Sequence, residues 1–128
     1  MKNREIYLSA LRLLAQDADP KENEDYEERA PYLLASLYSE LFDVDMRFRE
    51  FLGSEIKERA DRACFSLDED FPFLDRFVTV AARYLAAMLV IGEDDDLSDK
   101  LFDMYCKGIL LIKNEIPAAV ENIINKYI

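Results

Sequence analysis

The 128-residue chain carries 16 Lys and Arg against 27 Asp and Glu, two cysteines, no histidine and a 51% hydrophobic composition, for a formal charge of −11. A chain of this length buries roughly two thirds of its unfolded surface as one domain and needs neither disulfides nor metal to fold. Its negative field repels nucleic-acid phosphates and anionic lipid, and the lack of histidine removes the commonest general base, the usual zinc and haem ligand and every histidine-dependent triad.

Asn3 is placed to cap a first helix, along which Ile6, Tyr7, Ala10, Leu11 and Leu14 follow the three-to-four spacing of one face as far as about Gln16. A polar connection with Pro20 inside it, residues 17–24, follows. Tyr26, Ala30, Leu33, Leu37 and Leu41, widened by Leu34 and Tyr38, give a second amphipathic helix, whose Pro31 must sit in the first turn or kink it. Residues 45–52 continue that helix or form a short separate one, and Gly53 stops it. Residues 54–63 suit one or two further helical turns, and 64–72, with the capping-box pattern Ser66-Leu-Asp-Glu69, suit a loop delivering the next helix.

Residues 76–91 are apolar on nearly every side of a helix, broken only by Arg76, Thr79 and Arg83. A helix dry all round must be covered all round, so this one is the axle of the domain or a subunit contact. It is too short, with Arg83 too central, for a membrane span of about 20 apolar residues. Gly92 ends it, Asp96 or Ser98 caps a fourth helix, and Phe102, Tyr105, Ile109, Ile112 and Ile116 form a narrow seam along that helix. After Pro117 the residues Val120, Ile123, Ile124 and Tyr127 extend an apolar face to the last residue; with Ile116 they are the candidate interface, and residues 117–128 a docking tail. Nothing alternates with a period of two. The expectation is an all-α, single-domain bundle of four to five helices, residues 1–128, around a central apolar helix.

The residues offer little chemistry. Cys106 fits a helical pattern as a small core residue, and the N-terminus Met1-Lys-Asn-Arg-Glu-Ile6 has no signal-peptide core, which suggests a cytoplasmic location with reduced thiols. Acids concentrate in two stretches, ten over residues 17–45 and six over 93–103, read as solvated faces or as a surface that repels DNA. Glu93-Asp-Asp-Asp96 lacks the central glycine and closing glutamate of an EF-hand and suits a helix N-terminus. Glu24-x-x-Glu27 and Glu40-x-x-Asp43 have the spacing of the all-α nucleotide pyrophosphohydrolases, whose four acids hold magnesium. In those enzymes the pairs face each other from two helices; here no turn separates them, and thirteen residues along one helix span roughly 20 Å.

Phe71-Pro72, Arg76-Phe77, Ala81-Ala82-x-Tyr84-Leu85-Ala86-Ala87-x-Leu89, the acidic Glu93 to Asp96 and Leu101-x-x-x-Tyr105 occur in an order that resembles the head-to-tail connector (head-completion or adaptor) proteins of tailed phages and prophages. Ala10-Leu-Arg-Leu-Leu14, the acidic link and Tyr26-Glu-Glu-Arg-Ala30 agree, while the apolar C-terminus and residues 46–52 depart from the pattern. The resemblance implies a non-enzymatic structural subunit, with no catalytic, cofactor or metal residue. It would close a homo-oligomeric ring beneath the portal, touching portal and tail-completion proteins. Such a protein is cytoplasmic in the bacterial host and, if phage-encoded, part of the virion, with no sequence-specific nucleic-acid binding. The alternatives are a cytoplasmic helical regulator of antitoxin or DNA-mimic type and, third, a pyrophosphohydrolase.

Overall fold

The computed structural model describes residues 1–15 and 23–116. These form an all-α bundle: α1 spans Asn3–Leu13, α2 Glu24–Leu52, α3 Val78–Val90 after a 3-10 turn at Asp75–Phe77, and α4 Asp95–Glu115. Among the described residues the one extended pairing is an isolated antiparallel bridge between Lys2 and Asp70. No described helix is long and apolar enough to cross a membrane.

Helix α3 is the axle, packed against α1, α2 and α4. Ala81, Leu85, Ala86, Ala87 and Leu89 are fully buried. Its small residues let neighbouring backbones approach, and the larger Leu85 and Leu89 fill the space between them. The dry surface has one open edge, marked by the two polar interruptions: Thr79 is exposed and Arg83 half-buried. Antiparallel α2 is tied to α3 along its length. Tyr26 Oη donates to Glu93, Arg29 Nη2 donates to the Leu89 carbonyl (2.7 Å), and Phe48 meets Phe77 edge-on at the far end.

Residues 45–52 prove to be the uninterrupted end of α2, and Gly53, at φ +70°, stops it. A left-handed residue closes the last turn and forces the chain off the helix axis, a conformation glycine adopts without strain. Pro31 lies well inside α2 rather than in its first turn. Its ring carries no N–H, so the Glu27 carbonyl loses its helical donor. The Pro31 carbonyl accepts a 3.0 Å bond from the Phe65 amide, which pins the following loop to this point of α2.

Four expectations need correction. Residues 54–63 are irregular, not helical, because their backbone contacts go sideways: the Glu55 carbonyl accepts from Arg49 and the Ala60 amide donates to Tyr38 Oη. Asn3 does not cap α1. It is the first helical residue, 1% exposed, and its Nδ2 donates to the Ser66 carbonyl (2.9 Å). The last residue of α1 is Leu13, with the turn at Leu14 and Ala15 before the undescribed residues 16–22. The cap of α4 is Asp94, whose side chain accepts from the Leu97 amide; Ser98 is buried and donates to the Ala87 carbonyl, and Asp96 is exposed.

The irregular stretch between α2 and α3 is a strap. Arg49, Asp45 and an aromatic cluster hold it. Asp45 and Arg49 form a buried pair at 2.7 Å; the free oxygen of Asp45 accepts from the Leu74 amide, and Arg49 donates to the carbonyls of Glu55 and Pro72. Tyr38 stacks between Phe65 (4.8 Å) and Phe73 (5.2 Å). The Ser66 to Glu69 pattern does bond as a capping box, Glu69 Oε1 accepting from the Ser66 amide, but it closes a turn and opens no helix. A charge-assisted bond can stabilise any short turn of the right spacing.

Candidate interaction surface

Helix α4 faces α3 through Leu101, Tyr105, Gly108 and Ile112, a line rotated from the expected seam. Of that seam, Tyr105 and Ile112 are buried, Ile109 and Ile116 are partly buried against the core, and Phe102 is 37% exposed. Gly108 lies on the observed line and admits Val80 of α3 at a distance a side chain there would not allow. Counting apolar residues alone missed it, because the contact centres on a residue with no side chain.

The rotation leaves apolar groups outside. Leu110 and Leu111 are 59% and 68% exposed, and Cys106 lies exposed on the same helix rather than in the core. Tyr105, Cys106, Ile109, Leu110 and Lys113 border a shallow depression. Ile116, directly after α4, is the one member of the predicted interface that is described; Val120, Ile123, Ile124 and Tyr127 lie outside the described residues.

The polar side chains facing the interior hold helices together. Tyr105 Oη donates to Glu40 at 2.9 Å, linking α4 to α2, and its ring lies 5.1 Å from that of Tyr84. Burial first, then the bond to Glu40, pushes the Tyr105 hydroxyl well above the usual phenol range. Tyr26 is pushed up to about 12 by burial and by its bond to Glu93. In the acidic corner Glu93 receives Tyr26, Asp94 caps α4, and Asp95 accepts from the Gly92 amide (2.9 Å). The acids therefore serve a helix start, where the macrodipole favours them.

Glu24, Glu27, Glu40 and Asp43 all lie on the single helix α2. Glu27 accepts from Arg4 at 2.8 Å, while Glu40 is occupied by Tyr105. Among the described residues no group of three or more His, Cys, Asp or Glu is gathered closely enough for a metal ion. A wider cleft beside Cys64 is bordered by Arg4, Glu27, Arg62, Asp68 and Glu69, and there each arginine is already bonded to an acid. Comparison of the chain with protein-family models, with curated proteins and with solved structures gives no match.

Proposed function

We propose that the chain is a structural subunit of a phage head-to-tail connector, one of several copies that close a ring beneath the portal. The observation that carries this reading is the set of large apolar side chains that α4 leaves exposed. The helix already satisfies its own core through Leu101, Tyr105 and Ile112, yet it turns Phe102, Leu110 and Leu111 to the surface and leads into Ile116. Large apolar side chains left in solvent by a helix that has already filled its core are available for a protein contact. The order of motifs that resembles connector proteins supplies the kind of partner, and a net charge of −11 suits a ring around DNA that must not hold phosphate.

The test is the composition and completeness of phage particles. Induced particles from a host carrying the gene should contain the chain by mass spectrometry. Deleting residues 117–128 should leave the purified protein helical by circular dichroism but exclude it from particles. Particles that lack the wild-type chain, or that incorporate the truncated one normally, overturn the assignment.

A further inference from the structure

We propose that the subunit joins a second copy of itself head to tail, the Ile91–Asp96 corner of one copy seating in the groove between α1 and α3 of the next. This deepens the ring reading above by naming the two surfaces that meet.

The groove, about 230 Å³, has an apolar floor of Leu13, Val78 and Ala82 and a polar rim of Ser9, Thr79, Arg12 and Arg83. The arginines are its distinctive feature. Arg4, Arg29, Arg49, Arg59, Arg62 and Arg76 all pair with acids. Neither Arg12 nor Arg83 makes an ion pair with any described residue, although acids outnumber bases 27 to 16. Two guanidinium groups beside an apolar floor fit an apolar side chain flanked by carboxylates.

The Ile91–Asp96 corner has that chemistry. Ile91 is 56% exposed although it directly follows the most buried helix of the domain, and residues 92–96 are exposed throughout. Glu93, Asp94 and Asp95 have internal partners, whereas the Asp96 carboxylate has none among the described residues. Ile91 would lie on Leu13, Val78 and Ala82, and Asp96 with its acidic neighbours would face Arg12 and Arg83 of the next copy.

The placement of the two surfaces sets the symmetry. The groove lies at the N-terminal half of α3 and the corner just past its C-terminus, roughly 15 Å apart along a helix rising 1.5 Å per residue. Different patches at the two ends of one helix make a heterologous contact, which propagates into a closed ring or a filament rather than a two-fold dimer. The copies otherwise repel each other through their net charge, so these arginines supply local attraction where the overall field opposes it.

The test uses the full chain and charge reversal, read by sedimentation velocity and light scattering over a concentration series at low salt. Wild type should self-associate, and Arg12→Glu/Arg83→Glu and Asp96→Arg should each be monomeric. Mixing the two variants should restore association, because every contact in an alternating assembly then joins opposite charges. Thr79→Trp, at an exposed rim position, should fill the seat and block association without disturbing the core, and it replaces the arginine variant if that protein does not fold. A strictly monomeric wild type, association indifferent to these changes, or a mixture that stays monomeric overturns the proposal. Particle incorporation is scored separately: normal incorporation of both variants leaves the connector assignment standing without this contact, whereas self-association of a chain absent from particles removes that assignment and keeps the contact.

Discussion

Val80 Cγ1 stands 2.6 Å from the point where a β-carbon on Gly108 would lie, so α3 and α4 meet too closely for any side chain at that position. In an unpacked helix Gly to Ala gains about 1 kcal/mol. Here the added methyl must displace Val80, itself 3% exposed, and Gly108→Ala should destabilise the domain by about 1–3 kcal/mol through overpacking. Val80→Ala in the same chain should recover part of that loss, a coupling that a double-mutant cycle in urea measures directly. A stabilised single variant would show that the helices separate freely.

Leu85 is fully buried at the middle of the axle. Truncation there removes a side chain whose neighbours belong to a packed core and cannot all collapse into the gap, so Leu85→Ala should cost about 2–5 kcal/mol. A shift below about 0.5 kcal/mol in chemical denaturation would mean that the surrounding core is not formed.

The Asp45 and Arg49 pair joins the end of α2 to the strap, with each partner under 8% exposed. Removing one member leaves the other charged and unmatched in the interior. Asp45→Ala should therefore cost about 3–5 kcal/mol, and Asp45→Ala/Arg49→Met should lose less than Asp45→Ala alone. An additive double variant would show that the two side chains act independently.

The helices were legible because their signals are local and repeated. Ala30, Leu37 and Leu41 mark the buried stripe of α2, and the dense apolar run at 76–91 marks the axle. Boundaries and rotations were less legible, since they depend on partners distant in the chain. Asn3 looks like a cap until Ser66 claims its amide, and Cys106 looks buried until Leu101 and Gly108 prove to lie on the face towards α3. Residues 54–63 carry helix-forming side chains, yet Tyr38 and Arg49 bind their backbone sideways. As for the interface, the sequence drew attention to the apolar tail, whereas Leu110 and Leu111 sat unremarked within an otherwise ordinary amphipathic helix.

Acid should loosen the turn at Ser66 to Glu69. The Arg62 guanidinium, bonded to both carboxylate oxygens, and the Ser66 amide lower the Glu69 carboxyl from 4.5 to about 2. A value depressed by folding stabilises the folded form fully above the unfolded value, and that contribution disappears as pH falls from about 4.5 towards 2. The Ser66 amide shift of the folded protein, followed by nuclear magnetic resonance, should move only as pH falls towards about 2 and stay flat in Glu69→Gln. Movement confined to higher pH would place the charge pair elsewhere.

With Glu27 and Glu40 on one continuous helix, roughly 20 Å apart at 1.5 Å per residue, magnesium has no paired acids to bridge among the described residues. Incubation with nucleoside triphosphates and magnesium should release no pyrophosphate. Release that vanishes in Glu40→Gln would assign the chain to hydrolysis instead.

The strap also decides how many pieces of chain the domain needs. Residues 51–63 are exposed without a break, while the segments on either side are anchored, Phe48 on Phe77 before the stretch and Phe65 on Tyr38 after it. A protease that reaches a single bond near Lys57 would therefore sever the backbone without releasing either part. The first piece would carry α1 and α2, the second α3 and α4, and each would hide the other's apolar side. Covalent continuity through this stretch thus serves mainly to keep the two halves at high local concentration, and separately expressed halves should find each other and rebuild the bundle.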